Sequence, residues 1–240
     1  MKNKFSLTVE ENIFVAKRNI VDYIWKSARL EGINVTFPQT YAIIEKAKVT
    51  GVDVEDILKI TNLKHAWNTI FNTINEPLTL DYICRIHADV ARDEALSWGN
   101  LRTGSVYISG TNYVPPVPTK ESANAILEEL EDIQNPTEKS IVAMFKLMKA
   151  QLFWDGNKRT AMLAANKIMI QNGCGIISVP NEKLEEFNEI LCDYYTNDTL
   201  DKAVNFVYDM CIDGIELRQQ EDVEMTDNEE PKEDFGMKMC

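Results

Sequence analysis

Asp155-Gly156-Asn157-Lys158-Arg159 places a carboxylate, a glycine, an amide and two cations in five consecutive residues. Apolar helical patterns flank this stretch on both sides. Val142, Phe145, Leu147 and Met148 precede it among Lys146, Lys149 and Gln151, and Ala161, Met162, Leu163, Ala165, Ile168 and Met169 follow it up to Asn172-Gly173. Gly156 permits an unusual backbone conformation, and Asn157 is suited to cap a helix that begins near Lys158. Two cations in that helix's first turn face its positive end, which is unfavourable by a few tenths to about 1 kcal/mol. They make sense if an anion sits among them, because the free amides of a helix start already form a phosphate cradle. Asp155 adds a hard oxygen ligand for Mg²⁺, the usual companion of a polyphosphate. The plain alternative is a helix–turn–helix corner with Asp155 and Asn157 as caps and both cations solvated.

The elements that must position this turn are mostly helical. Ile13, Phe14, Ile20, Val21, Ile24, Trp25 and Ala28 recur at helical spacing over 8–31, with Gly32 as the stop. Ser27 and Glu31 share one face at that helix's end. Further amphipathic segments cover 37–47, 54–74, 78–92, 119–134, 138–151, 181–195 and 200–213, and Ile176-Ile177-Ser178-Val179 reads as a short strand. His65 and His87 are the only histidines, and each falls inside a helical pattern. Between 98 and 116 the character changes. Val106-Tyr107-Ile108 and Tyr113-Val114 flank Ser109-Gly110-Thr111-Asn112, which predicts a hairpin ended by Pro115-Pro116.

The chain has 240 residues, 45% of them hydrophobic, enough for one sizeable core. A net charge of −13 argues against non-specific binding to nucleic acid or an anionic membrane. Five scattered cysteines without CxxC pairing read as reduced thiols, and no apolar run reaches membrane-spanning length. The N-terminus lacks an apolar signal core, so the expectation is a cytoplasmic protein. Residues 217–240 hold eight acids against Arg218, Lys232 and Lys238, an expected acidic flexible tail. The expected organisation is an N-terminal helical region (1–59), a core (60–216) and that tail (217–240).

Phe153, Asp155, Gly156, Asn157, Lys158 and Arg159 match, in order and without gaps, the Fic-family signature H-x-F-x-[DE]-G-N-[GK]-R-x-x-R. The stretch therefore closely resembles Fic proteins, with Gln151 at the histidine and Met162 at the last arginine. Two other segments strengthen the resemblance. Gly99-x-x-Arg102, Val106-x-Ile108-x-Gly110-Thr111 and Pro115-Pro116 resemble the flap that covers the nucleotide in that family. Ser27-x-x-x-Glu31-Gly32 resembles its inhibitory motif, whose glutamate reaches into the nucleotide site.

The resemblance implies a mostly α fold, a Fic-type helical bundle with a small β-hairpin flap. It also implies a nucleotidyltransferase that moves AMP from ATP·Mg²⁺ to a protein hydroxyl. By position, Asp155 would hold Mg²⁺. The amides of Gly156, Asn157 and Lys158, with the Lys158 and Arg159 side chains, would bind phosphate oxygens, and Phe153 would anchor the turn. Ser27 and Glu31 would be regulatory. A protein target would dock on the 105–114 flap by backbone pairing, and an oligomer stays open. Tyr194 and Tyr195 fall where family members place adenine-facing residues, and core packing explains them equally well. Gln151 stands in the place of the general base, yet a carboxamide cannot take up a proton. Two function classes follow: an enzyme with weakened or altered catalysis, or a non-catalytic Fic-fold nucleotide sensor or protein-binding adaptor.

Overall fold

A computed structural model describes residues 1–216 of the chain. The expected acidic tail, 217–240, lies outside the described residues. The described residues form ten α-helices in chain order: α1 (Val9–Arg18), α2 (Ile20–Leu30), α3 (Phe37–Ile44), α4 (Val54–Asn72), α5 (Leu80–Val90), α6 (Lys120–Glu131), α7 (Pro136–Ala150), α8 (Asn157–Gln171), α9 (Leu184–Asn197) and α10 (Leu200–Met210). Two short strands, β1 (Ile176–Ile177) and β2 (Ile212–Asp213), pair antiparallel with Ile176 opposite Asp213. The fold is thus mostly α, as the sequence implies.

Three expectations need correction. The helix expected over 8–31 is two helices, because Asn19 leaves the helical conformation (φ −106°) and turns its side-chain amide back to the Val15 carbonyl at 3.3 Å. The boundary expected between 59 and 60 falls inside α4, which runs unbroken across it. The flap has the predicted turn, with Gly110 at φ +83°, but no strand ladder. Its two arms are extended and still alternate between half-buried and exposed residues, as strands do. Tyr113 stacks on Tyr195 of α9 with ring centroids 6.2 Å apart, and Thr111 hydrogen-bonds Thr196 at 3.1 Å. Contacts to α9 and to the core hold the arms where cross-strand bonds were expected.

α8 is the organising element. Every residue from Arg159 to Ile170 is buried, so this helix is covered on all sides. Ala161, Ala164, Ala165, Ile168 and Met169 pack with α7, α9 and α10, while Leu163 and Ile170 join the cluster built from α2, α4 and α5. Small residues on one side allow α7 to lie close, and α7–α8 is the most extensive helix pair. Burying a helix all round leaves only its ends open, so the one chemically available part of its N-terminal half is the first turn.

Three buried asparagines serve the backbone where no strand partner exists. Asn157 accepts from the Phe153 N–H at 2.9 Å and donates to the Phe153 carbonyl at 2.8 Å. Asn166 holds Ile177 in the same way (2.7 and 2.9 Å), and Asn12 holds Gly175 (2.8 and 3.2 Å). A carboxamide offers a donor and an acceptor side by side, so it imitates one residue of a neighbouring strand. Asn157 therefore does not cap α8, as the sequence suggested. Gly156 is the N-cap residue, at φ +70°, and Asn157 is spent on the turn before it.

His87 completes the support. Its ring lies 3.7 Å from the Phe153 ring, nearly parallel at 6°. The Gly99 N–H donates to Nδ1 at 2.9 Å, which leaves Nε2–H to donate to the Asp155 carbonyl at 2.9 Å. Both partners thus require the neutral Nε2–H tautomer. Burial, and to a lesser extent nearby Arg159, lowers the His87 pKa to about 4, against the opposing effect of the Asp155 carbonyl. In the unfolded chain the imidazole titrates near its ordinary value, so the unfolded state binds more protons between those two values. The His87 contribution is fully present above about pH 6.5 and is lost as pH falls toward 4. It amounts to about 2 kcal/mol between pH 7.5 and 5.0. Urea unfolding at these two pH values should show a difference that shrinks by about that amount in His87→Gln. An equal pH dependence in both proteins would mean that the imidazole is protonated in place without loosening the turn.

Candidate nucleotide and metal site

A cavity of about 380 Å³ opens at the start of α8. Its floor is the turn carrying Gln151, Trp154, Asp155, Asn157 and Lys158, and its roof is the flap arm Val106–Ser109. Asn188, Leu191, Cys192 and Tyr195 on α9 form one wall, and Glu31 from the end of α2 closes another. Four segments distant in sequence therefore meet here. The cleft is polar at the helix start and more apolar along Leu191, Val106 and Ile108, a mixture suited to a ligand with a charged and a flat apolar end.

The turn is built for backbone access. Gly156 takes a left-handed conformation, and a Cβ there would lie 3.1 Å from Val90 Cγ1. The first internal helix bond runs from Thr160 N–H to the Gly156 carbonyl at 2.9 Å. The amides of Asn157, Lys158 and Arg159 precede it and have no helical acceptor. Asp155 is 57% exposed and accepts the Gly156 N–H through Oδ1 at 2.5 Å. Among the described residues no three His, Cys, Asp or Glu side chains gather to hold a metal. Asp155 alone fits Mg²⁺, which commonly takes one or two carboxylates and completes its shell with phosphate oxygens and water.

The two cations behave differently. Lys158 borders the cavity, with Nζ donating to the Leu30 carbonyl at 3.1 Å and lying 3.7 Å from Glu31. Arg159 does not border the cavity, and the expectation of a side chain lying on phosphate oxygens does not match this geometry. Its side chain is 2% exposed, with Nη1 bonded to Glu94 at 2.9 Å and to the Val90 carbonyl at 3.3 Å. Asn62 in turn donates to Glu94 at 2.9 Å. Arg159 Nη2 lies 3.7 Å from Asp155, and buried Nε has no hydrogen-bond partner. The nearest acid to Nε is Glu31, at 3.8 Å. Three carboxylates (Glu31, Glu94, Asp155) thus surround two cations, a local excess of one negative charge.

Glu31 is the C-cap residue of α2, and Gly32 follows at φ +80°. That ending turns the carboxylate toward Lys158 and Arg159. Ser27 sits one turn earlier, beside a narrow crevice between α2 and α8 that also holds Met162. Ser27 does not line the cavity; its carbonyl accepts the Glu31 N–H at 3.3 Å. Met162 is 6% exposed, so apolar packing occupies the position where the signature has its last arginine.

Gln151 ends α7 in a left-handed conformation, φ 45° and ψ 58°. Its Nε2 donates to the Met148 carbonyl at 2.8 Å, which leaves Oε1, an acceptor, for the cavity. Burial holds the Tyr195 phenol well above its ordinary pKa, so it lines the same wall as a neutral hydroxyl. Tyr194 packs into the core against Phe145 instead. Glu94 and Asn62, which fix Arg159, carry no sequence pattern that marks them. His87 is brought to the turn by α5, and only tertiary packing shows that it stacks on Phe153.

The comparisons with known proteins agree with this architecture. Residues 77–169 match the Fic/DOC family. The chain is 28% identical over 186 residues to protein adenylyltransferase Fic of Nematostella vectensis, covering 73% of this chain and 43% of that protein. Among solved structures it is similar to Fic-1 of C. elegans, with a TM-score of 0.68 and 24% identity over 80% of this chain and 60% of that one. It is also similar to a Fic-domain-containing signaling protein of Bacteroides thetaiotaomicron, with a TM-score of 0.68 and 20% identity over 84% and 85% of the two chains. These two structures speak to the fold alone. The chain spans less than half the length of the curated relatives it matches. The segment that matches the Fic/DOC family, residues 77–169, includes the Phe153–Arg159 turn.

Proposed function

We propose that this chain is a Fic-type nucleotidyltransferase that binds ATP with Mg²⁺ and transfers AMP to a protein hydroxyl, with catalysis altered by Gln151. The observation that carries this reading is the meeting of Asp155, the open α8 amides and Lys158 under the flap, around a single cavity. The α8 amides and Lys158 hold phosphate oxygens by hydrogen bonding and charge. Mg²⁺ at Asp155 supplies charge neutralisation for the phosphates. Leu191, Val106 and Ile108 offer apolar contact to a base, and the flap edge orders an extended target segment. In the transfer, the target oxygen forms a bond to the α-phosphorus, the bond to the leaving pyrophosphate breaks, and the hydroxyl proton passes to a phosphate oxygen of the substrate or to water. Gln151 Oε1 accepts a hydrogen bond from the target hydroxyl and orients it, but it cannot remove the proton.

Loss of a general base typically costs 10²–10⁴-fold, whereas positioning and charge carry much of phosphoryl chemistry. A second reading, a nucleotide-binding sensor or adaptor, is favoured by one observation: the Gln151 amide nitrogen is folded back onto Met148, and no histidine lines the cavity beside it among the described residues. Isothermal calorimetry with ATP and Mg²⁺ tests what both readings share. Saturable binding is expected, weakened roughly tenfold in Lys158→Ala, in line with the loss of a charge-assisted contact. No binding by the natural chain or by Glu31→Gly would remove both readings.

The readings separate on Gln151→His. With α-labelled ATP, the imidazole should raise AMP incorporation into protein by roughly 10²-fold or more if the remaining site is competent. An unchanged rate with nucleotide bound would favour the adaptor.

Glu31 restrains the site in this proposal. It lies between Lys158 and Arg159 Nε, in the space a terminal phosphate needs, and its carboxylate is the one that tips the local balance to an excess of one negative charge. Arg159 stands in for the arginine that Met162 replaces. Glu31 is 17% exposed, so its charge is less screened by solvent than in a fully solvated pair, which contributes only about 0–1 kcal/mol. Glu31→Gly should tighten ATP binding more than ADP binding by calorimetry. Equal tightening would leave Ser27-x-x-x-Glu31-Gly32 as an ordinary helix ending.

A further inference from the structure

Arg102 is the largest of the fully buried side chains, 1% exposed, and no carboxylate among the described residues pairs with it. A buried cation without an anion is costly unless dipoles surround it. Here the dipoles are four main-chain carbonyls. Nε donates to the Gln151 carbonyl at 2.6 Å, Nη1 to Gly104, and Nη2 to Pro116 and to Pro115 at 3.3 Å. The Arg102 backbone N–H also donates to the Leu152 carbonyl, at 3.0 Å. Gly104 starts one arm of the flap, Pro115 and Pro116 end the other, and Gln151 and Leu152 begin the candidate active turn. The planar fork of a guanidinium suits such convergence, and a point-like ammonium does not.

Gln151 needs support of this kind. A non-glycine residue in the left-handed region is strained and persists where its surroundings over-determine it. Its carbonyl is held by Arg102 and its side-chain amide by Met148. The flap tip is tied elsewhere, to α9 through Thr111 and Tyr113. The base of the flap shares Arg102 with the Gln151 backbone, whereas the tip reaches only the Gln151 side chain, by way of Tyr195.

We propose that Arg102 is a positioning residue that couples the base of the flap to the backbone of Gln151, so that the surface receiving a target and the group orienting its hydroxyl move as one unit. The functional meaning rests on the Fic-type reading above, whereas the coupling itself does not. Hydrogen–deuterium exchange without nucleotide therefore tests it independently. Arg102→Lys should speed exchange at least tenfold both in fragments covering 104–118 and in those covering 148–156, with α4 unchanged. Thr111→Val, which cuts only the tip, should speed exchange near 109–113 and leave 148–156 as it was. Pro116→Gly is the second variant should Arg102→Lys fail to fold: the guanidinium stays, only the flap-side carbonyls loosen, and both fragments should again respond. Faster exchange confined to the flap, in whichever of these two variants folds, would overturn the coupling. If AMP transfer is measurable in a Gln151→His background, adding Arg102→Lys should lower kcat at least tenfold while changing KM for ATP less than threefold. An equal loss in both would mark Arg102 as merely structural.

Discussion

The pair of hydrogen bonds between Asn157 and the Phe153 peptide is the constraint on which the site depends. A turn joining two buried helices has few ways to satisfy its own backbone, and an unpaired buried amide or carbonyl costs about 1–3 kcal/mol. By satisfying both polar groups of Phe153 from the first residue of α8, the chain folds the turn back on the helix it precedes. Phe153 then enters the core against His87, the Asp155 carbonyl meets the His87 ring, and the Asp155 carboxylate is left outward. None of these groups can shift alone. A carboxylate beside open helix amides is useful only if its position is set before a ligand arrives, and this arrangement sets it.

Charge around the turn follows a different logic. Arg159 is drawn inward by Glu94, which Asn62 holds, so the second of the two first-turn cations is largely neutralised inside the protein. Lys158 stays at the cavity, tethered to the end of α2 through the Leu30 carbonyl and facing Glu31. The end of α2 therefore bears directly on the edge of the cavity proposed to bind phosphate. Its position depends on packing against α8, including the crevice where Met162 lies beside Ser27. An apolar residue there gives α2 a packing contact in place of an ionic one. That exchange trades a salt-sensitive contact for one driven by removing apolar surface from water.

The flap shows how tertiary contacts replace secondary structure. Its alternating pattern has strand periodicity, yet its arms do not bond each other. A buried guanidinium at the base and aromatic stacking at the tip hold it instead. Extended chain with unpaired edges is poor as an isolated hairpin, but it is available to another strand. The same substitution of side chain for strand recurs at Gly175 and Ile177, where Asn12 and Asn166 supply bonds that the two-residue strands are too short to make.

The sequence by itself determined the helical architecture, because apolar spacing of 3.6 residues needs no partner to be read. It also marked the Asp155–Arg159 turn as the candidate site, since the residue types and their order are local. The glycine-ended helix carrying Glu31 was legible for the same reason. Only tertiary structure decided which of two adjacent cations faces the cavity: Lys158 and Arg159 are equivalent by composition, and the difference is Glu94, 65 residues away. It likewise decided that Asn157 clamps Phe153 rather than capping α8, because a carboxamide suits either task and burial selects between them. His87 and Arg102 act through ring stacking and carbonyl convergence, neither of which leaves a periodic trace in sequence. Local spacing encodes what one helix or turn can satisfy by itself, and the remainder is set by the requirement that every buried polar group find a partner.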